Sequence, residues 1–146
     1  RTTWRMCCDL NRCLYYSDRE GLHLDAPQPV RTVLTIIDGV LAGEGEGPLA
    51  PADVPLGAVV ASTDPVAVDL AAVRLMGFDE QKLPTLRGPM EDEGPRITAV
   101  RGATDVVVGT IERGAAEVVD RSLDEIGWER VFEAHAGWIG HVERAS

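Results

Sequence analysis

Glycine and carboxylate residues alternate in one stretch of the chain, "IIDGVLAGEGEGP", residues 36–48. Alternating glycines let a backbone adopt positive φ angles and approach a ligand closely. The carboxylates of Asp38, Glu44 and Glu46 suit a divalent cation, an ammonium group or the hydroxyls of a polar molecule. The stretch therefore predicts a binding loop, and the alternative is a flexible surface loop. The predicted ligand-binding positions are Asp38, Gly39, Glu44, Gly45, Glu46 and Gly47, with Asp38 and Glu44 as the metal ligands.

The same stretch is a poor phosphate-binding loop. It contains no Gly-Lys-Ser or Gly-Lys-Thr sequence, and it lacks the third glycine of the dinucleotide-binding spacing. Glu44 and Glu46 would also place negative charge beside a phosphate, which binds N–H groups and cations. Anion binding by this loop alone is therefore not expected.

Two further aspartates lie in a predicted helix over residues 64–76, "DPVAVDLAAVRLM". Asp64 is a favourable N-cap and precedes a proline, and Gly77 is a suitable C-terminal cap. Asp69 lies in a helix that is apolar nearly all round, so we expect its carboxylate to be partly buried and either paired or ligand-bound. The alternatives are that Asp64 only caps the helix and that Asp69 pairs with Arg74 or another arginine.

These carboxylates are expected to converge at the end of a sheet. In open α/β sheets, ligands bind beyond the carboxyl ends of the strands. Asp38 ends one predicted strand and Asp64 follows another, so we predict that both face one crevice. Glu44 and Glu46 would line the same crevice. The predicted catalytic residues are Asp64 and Asp69, as a general base or as an orienting carboxylate.

The chain opens with a predicted helix over residues 2–17, in which apolar and polar residues recur at helical spacing. Asn11 falls on the apolar stripe, where a buried amide binds either a loop backbone or a ligand. Arg5 and Arg12 flank Asp9 on the polar face, where they form solvated ion pairs or bind an anionic substrate group. The apolar stripe is predicted to hold Trp4, Cys7, Cys8, Leu14 and Tyr15, and the polar face Arg5, Asp9, Arg12 and Tyr16.

The rest of the pattern predicts strands that alternate with helices. Strands are expected over residues 30–37, 57–61, 97–100 and 105–108, a helical turn over 84–90, and a helix from a capping box at Ser122 and Glu125 to about residue 135. The segment between the first two strands is predicted to form glycine- and proline-rich loops. These elements predict one α/β domain over residues 1–146, with a short, mostly parallel sheet flanked by helices. Because the chain begins at Arg1 within helical sequence, we expect a fragment of a larger domain whose N-terminal part is missing.

Composition limits the class of protein and of partner. The 146 residues carry a net charge of -10, whereas nucleic acid and anionic membranes require a basic surface. No apolar run is long enough to span a bilayer, and no signal peptide is visible. The cysteines at positions 7, 8 and 13 lack the spacing of a zinc or iron–sulfur site and indicate a reducing compartment. We therefore expect a soluble, cytoplasmic protein without a nucleic-acid or membrane partner.

The chain resembles the domain of unknown function 362 family in four blocks: "TTWRMCCDLNR", "TIIDGVLAGEGEGPL", "ASTDPVAVDLAAVRLMGFD" and "GWIGHVE". The resemblance implies that this chain is the C-terminal portion of the family domain. It marks the positions Asp38, Gly39, Glu44, Gly45, Gly47, Pro48, Asp64, Pro65 and Asp69. Many relatives look like iron–sulfur proteins with a ferredoxin-type cysteine module, which this chain lacks, so a redox function is not carried over to it.

Two functions from different classes fit these observations. The first is a binding domain or enzyme whose acidic crevice holds a divalent cation or a polar small molecule, with Arg5 and Arg12 on an anionic substrate group. The second is a non-catalytic accessory or scaffold module. It would dock on a redox or biosynthetic partner, or on a second copy of itself, through its acidic surface and the apolar tail around Trp138. The coincidence of glycines, carboxylates and strand ends favours the first.

Overall fold

A computed structural model of the chain describes residues 3–112, 114–127 and 130–144. Its helices are α1 (Thr3–Tyr16), α2 (Pro65–Leu75) and α3 (Pro84–Glu91), and its strands are β1 (Thr35–Gly39), β2 (Ala42–Glu46), β3 (Ala50–Val54), β4 (Ala58–Ser62), β5 (Val107–Thr110) and β6 (Val119–Ser122). The predicted start of the first helix at Thr2 lies outside the described residues. No helix in the described part of the chain has both the length and the apolar character needed to cross a membrane.

The six strands form three antiparallel pairs, β1 with β4, β2 with β3, and β5 with β6. The prediction of a mostly parallel sheet is therefore wrong. Parallel neighbours need a crossover connection, usually a helix, whereas the segment between β1 and β4 is itself a hairpin that returns the chain to the same edge. β1 shows alternating burial, as expected of a strand with one face on a helix and one face in solvent.

The predicted glycine-rich and proline-rich loops are in fact the β2–β3 hairpin. Glycines weaken the strand signal, and a proline in a strand removes a ladder hydrogen bond, so the sequence favoured loops. Close packing explains one glycine, because a Cβ atom at Gly43 would lie 2.8 Å from the Cβ atom of Pro51. Gly45 has a φ of 73°, a conformation that side chains other than glycine rarely adopt. These two glycines are required by the hairpin itself.

Helix α2 forms as predicted and lies at the centre of the main hydrophobic core. Asp64 caps it by accepting hydrogen bonds from two backbone N–H groups, and Pro65 is its first residue. Gly77 follows its end with a φ of 73°. Five of its apolar residues are buried: Val66, Val68, Leu70, Ala71 and Val73. This helix therefore positions both the loop before it and the turn after it.

The predicted faces of α1 are partly wrong. Cys7 and Leu14 are exposed, whereas Tyr16, predicted on the polar face, is only 1% exposed. Tyr15 and Tyr16 form a second, smaller hydrophobic cluster with Ile97. Tyr15 and Tyr16 are the last two residues of α1, and both side chains are buried. Helical periodicity places neighbouring residues on different faces, so it does not predict that both are buried.

The C-terminal third contains less regular structure than predicted. Helix α3 and strand β5 lie close to their predicted positions, but residues 97–100 form no strand. Ser122 does bind Glu125 as in a capping box, through its N–H at 2.7 Å and its Oγ at 2.8 Å. No helix follows in residues 123–127 or 130–135, and positions 128 and 129 of the predicted helix lie outside the described residues. A capping box is a local motif, and here it closes a turn after β6.

The C-terminal tail docks on the turn that follows α2. The N–H of Phe132 donates to the carbonyl of Met76 at 2.9 Å, and the N–H of Asp79 donates to the carbonyl of Val142 at 2.7 Å. Val142 is buried in the main core together with Phe132. Of the apolar tail proposed as a contact surface, Trp138 remains half exposed, whereas the last two residues lie outside the described part of the chain.

Candidate functional site

The carboxylates predicted to share one crevice are distributed over separate places. Asp38 lies opposite Val59 near one end of the β1–β4 pair, whereas Asp64 follows Ser62 at the other end. The antiparallel register thus separates the two aspartates that a parallel sheet would have brought together. Among the described residues, no group of three or more His, Cys, Asp or Glu side chains is arranged to hold a metal ion. Asp38 is exposed and accepts a hydrogen bond from the N–H of Val40 at 3.1 Å.

Glu44 is the buried carboxylate of strand β2, and its oxygens have partners in the chain. One accepts a hydrogen bond from the N–H of Glu133 at 2.8 Å, and the other forms an ion pair with Arg130. The N–H of Gly45 returns a hydrogen bond to the carbonyl of Glu133 at 2.9 Å. Glu46 is exposed, with a carboxylate oxygen 3.4 Å from Nε2 of His135. Through its contacts with Arg130 and Glu133, Glu44 thus links the C-terminal segment to the β2–β3 hairpin.

An apolar cavity of about 310 Å³ lies between this hairpin and the tail. Gly43 and Gly45 of β2 and Gly47 just after it line one side, and Phe132 and Trp138 line it from the tail. The predicted position Gly39 lies elsewhere, and a Cβ atom there would be 3.0 Å from the carbonyl oxygen of Ala58. Because Glu44 is already bound by its neighbours, this cavity offers few free polar groups to a hydroxyl-rich ligand or a cation.

Asp69 is exposed on α2, contrary to the prediction that it is partly buried. Partial desolvation by the surrounding protein atoms still raises the pKa of its carboxyl group. The alternative pairing with Arg74 is wrong, since Arg74 binds Glu80 and Asp124, each at 2.7 Å. Among the described residues, Asp69 has no ion-pair partner.

The arginines and the amide of α1 take part in local contacts. Arg12 pairs with Asp9 at 2.9 Å and with Asp92, while Arg5 lies 5.1 Å from the centre of the Trp4 ring. Asn11 donates from Nδ2 to the carbonyl of Cys7 at 2.9 Å. Arg5, Asn11 and Arg12 were predicted to bind a ligand. They do not line the cavity that contains Asp64, which is described next.

A polar cavity of about 390 Å³ does form, at the N-terminal end of α2. Four segments surround it: the end of α1, the loop over residues 27–32, the cap of α2 and residues 96–99. Asp64 lines it and is held on several sides. Besides capping α2, its carboxylate accepts from the Oγ1 of Thr98 at 2.8 Å and from the N–H of Ala99 at 2.9 Å. Asp64 is thus confirmed as a cap and also fixes the wall of this cavity.

Arg96 lines the same cavity and is a partly buried residue. Its Nε and Nη2 atoms are buried, and neither has a hydrogen-bond partner among the described residues. The hydroxyl of Tyr16, in the smaller hydrophobic cluster, donates a hydrogen bond to the backbone carbonyl of Arg96 at 2.8 Å. Buried N–H groups without a partner are costly, so this guanidinium favours an anion nearby.

Two other residues set the chemistry of the polar cavity. Arg31 lies at its exposed rim and donates to the carbonyls of Leu14 and Asp18 at 3.3 and 2.8 Å. Desolvation, and then the charge of Asp64, raise the pKa of Tyr15. Its phenol therefore stays protonated at neutral pH as a hydrogen-bond donor. Sequence reasoning missed both arginines, because Arg31 and Arg96 lie in irregular segments with no periodic pattern to mark them.

Comparison with known proteins points to one family. The model described as Domain of unknown function (DUF362) matches residues 3–74. This match supports the family resemblance. It covers the N-terminal part of this chain, whereas we expected the chain to correspond to the C-terminal portion of the family domain and counted the tail "GWIGHVE" in the resemblance. No curated protein and no solved structure shows a significant match.

The positions that the resemblance marks all lie within the part matched by the family model. They do not converge on one cavity, and Asp38 and Gly39 line a further, smaller cavity. Glu44, Gly45 and Gly47 line the apolar cavity, and Asp64 lines the polar cavity. Arg96 lies beyond the matched residues, so the polar cavity combines a wall from the family region with one from outside it.

Proposed function

We propose that this protein binds a small molecule bearing a carboxylate or phosphate group in the polar cavity at the N-terminal end of α2. The observation that carries the proposal is the guanidinium of Arg96, which has two buried nitrogen atoms without a partner. An anion in the cavity would supply the missing counter-charge and lower the cost of burying this cation.

The surroundings of Arg96 support an anionic ligand that also carries hydroxyl or amide groups. Tyr15, Thr63 and Gln28 line the cavity and offer hydrogen-bond donors and acceptors. The carboxylate of Asp64 contributes negative charge to the cavity, but its oxygens are held by backbone N–H groups and by Thr98. The volume of about 390 Å³ is within the range of small-molecule sites.

This proposal keeps the polar small molecule predicted from the sequence and changes its charge and its place. The anion-binding arginines are Arg96 and Arg31 rather than Arg5 and Arg12, which are held by other contacts. Asp64 serves as the residue that fixes two walls of the cavity. Fewer observations support a divalent cation, because the described carboxylates form no group that could hold a metal ion.

Thermal unfolding of the purified chain in a series of small anions tests the proposal. The series contains inorganic phosphate, sugar phosphates and di- and tricarboxylates, each at constant ionic strength. A ligand that binds only the folded protein stabilises it by about 2.7 kcal/mol at a hundredfold excess over its dissociation constant. We expect at least one of these anions to raise the unfolding midpoint in a saturable manner.

A matched pair of variants decides whether the effect arises at Arg96. Arg96→Gln should abolish the stabilisation by the anion, because it removes the buried charge. Arg87→Gln removes a half-exposed arginine of α3 that pairs, among the described residues, with Glu91 at 3.5 Å, and it should leave the stabilisation unchanged. The absence of a shift with every anion, or a shift that survives in Arg96→Gln, would contradict the proposal.

A further inference from the structure

The polar cavity at the N-terminal end of α2 is lined by two arginines from separate segments. Arg31 belongs to the loop over residues 27–32, and Arg96 belongs to residues 96–99. The third charged residue of the lining is Asp64. Whether this aspartate already compensates the two arginines decides how many negative charges a ligand can bring.

The carboxylate of Asp64 is bound by uncharged donors. Its Oδ1 accepts from the N–H groups of Val66 and Ala67 at 3.0 and 3.1 Å, and its Oδ2 accepts from the N–H of Ala99 at 2.9 Å. The Oγ1 of Thr98 lies 2.8 Å from each of the two oxygens. The positive end of the α2 dipole also offsets the charge of this cap. The aspartate thus serves the helix and its neighbours rather than the arginines.

The two buried nitrogen atoms of Arg96 that have no partner in the described part of the chain belong to one edge of its guanidinium. Nε and Nη2 are neighbours in this planar group, and their N–H groups point in nearly the same direction. Such a pair matches two oxygen atoms of a carboxylate or a phosphate, which it binds in a bidentate manner. Arg96 therefore has a pair of donors suited to one anionic group.

Arg31 brings a second positive charge to the exposed rim of this cavity. Its Nη1 and Nη2 donate to the carbonyls of Leu14 and Asp18, which orient the guanidinium without removing its charge. Within the described ranges, no carboxylate forms an ion pair with Arg31 or Arg96. One anionic group bound at Arg96 would leave the charge of Arg31 without a partner.

The cavity has room for more than one anionic group. Its volume of about 390 Å³ is that of a site for a whole small molecule. Gln28, Thr32 and Thr63 also line it, and their uncharged polar groups can bind hydroxyls on the middle of a ligand.

We infer that the ligand of this cavity carries two separate anionic groups at the ends of a short carbon chain. One group, a carboxylate or a phosphate, binds Nε and Nη2 of Arg96, and the other, a carboxylate, pairs with Arg31 at the rim. Arg31 is then the residue that selects such a ligand over one with a single anionic group. This inference rests on the proposed function, and it can fail while the anion site at Arg96 stands.

Isothermal titration calorimetry with matched ligands tests the inference. The probes are dicarboxylates of three to six carbons and carboxyalkyl phosphates of similar length, all at constant ionic strength. Each probe is compared with its amide, in which an uncharged carboxamide of nearly the same shape replaces one carboxylate. We expect at least one probe to bind about tenfold more tightly than its amide, because the amide leaves Arg31 without a counter-charge.

Substitutions at position 31 separate the charge of the arginine from its contacts to the backbone. Arg31→Gln should reduce the tenfold preference to less than about twofold while the amide binds as before. Arg31→Lys keeps the charge and loses the planar fork, and it should retain most of the preference. Arg87→Gln on α3 is the matched control and should change neither affinity. Circular dichroism establishes that the variants fold, and the comparison of each probe with its amide on the unmodified protein decides the matter if Arg31→Gln does not.

Three results would overturn the inference. Equal affinities of every probe and its amide would show that only one anionic group is recognised, and if these affinities fall in Arg96→Gln, the proposed anion site still stands. A preference that persists in Arg31→Gln would show that Arg31 does not bind the second group. Absence of saturable binding by every probe would leave the proposed function standing only if inorganic phosphate still stabilises the protein through Arg96, and otherwise both would fail.

Discussion

Two arginines near the opposite ends of helix α2 differ in how their buried nitrogen atoms are bound. Near its C-terminal end, Arg74 is 6% exposed and lies between the carboxylates of Glu80 and Asp124. Near its N-terminal end, Arg96 lines a cavity, and two of its nitrogen atoms are buried without a partner. Arg74 also has an unpartnered Nε, but its charge is compensated. Arg74 thus has charged partners within the fold, and this difference is the basis for the proposal that Arg96 binds a ligand.

The same comparison applies to Glu44, one of the carboxylates of the predicted acidic site. Glu44 is buried like Arg74, and its oxygens are bound by Arg130 and by the N–H of Glu133. A buried charge with its partners in the chain joins two segments of the fold, whereas one without them requires something from outside. Residue type alone does not separate these cases.

The largest expected effect is at Arg74. Arg74→Met leaves the carboxylate of Glu80, which is 7% exposed, without its partner. Breaking a buried pair in this way costs about 3–5 kcal/mol of the free energy of unfolding, which urea denaturation measures. Arg87→Met removes an exposed pair and should cost less than about 1 kcal/mol. Equal losses in the two variants would contradict the structural role of Arg74.

A smaller loss is expected at Glu44. Glu44→Ala removes the acceptor of the N–H of Glu133 and should lower the free energy of unfolding by about 1–3 kcal/mol. Glu46→Ala, at an exposed position of the same strand, should stay within about 0.5 kcal/mol of the unmodified protein. Protection of the tail from proteolysis should fall in the first variant alone. A tail that remains equally protected would show that Glu44 does not fasten it.

Arg96 should behave differently from both. In the absence of an anion, Arg96→Met removes an uncompensated charge and should leave the free energy of unfolding within about 1 kcal/mol of the unmodified protein, or raise it. Added anion should then stabilise the unmodified protein and not the variant. A loss in anion-free buffer as large as that of Arg74→Met would show that Arg96 has a structural partner.

The smallest effect concerns pH. The N–H of Gly94, and also Arg12, lower the pKa of Asp92, so this carboxylate contributes stability that is present above its unfolded pKa of about 3.9. The contribution is lost as the pH falls below that value through the lowered pKa. Asp92→Asn should therefore make the free energy of unfolding fall less steeply as the pH is lowered.

Asp69 has a raised pKa, so its contribution to the free energy of unfolding decreases as the pH rises. Asp69→Asn should remove this pH dependence.

The sequence predicts those elements whose signals are local. The cap at Asp64, the proline after it and the glycine at position 77 define α2 without tertiary information. Strands β2 and β3 were mistaken for loops, because their glycines and prolines serve packing across the hairpin rather than a turn. Strand direction was also wrong, since it depends on that unrecognised hairpin.

The candidate site could be predicted only in part, for a related reason. Asp64 stood out because capping aspartates have a recognisable context, and it does line the polar cavity. Arg96 did not, because its importance lies in the missing partner, which is a property of the folded surroundings. No short sequence motif predicts whether a charged side chain in an irregular segment is buried or hydrogen-bonded.

The most direct test is an NMR titration that observes the Nε–Hε groups of the arginines during addition of the anion identified by thermal unfolding. The signals of Arg96 and Arg74 are assigned by their loss in Arg96→Gln and Arg74→Met. The two signals are comparable, because both Nε atoms are buried without a partner among the described residues. We predict that the Arg96 signal shifts in a saturable manner while the Arg74 signal stays in place. An Arg96 signal that does not move, or equal shifts of both signals, would contradict an anion site at the N-terminal end of α2.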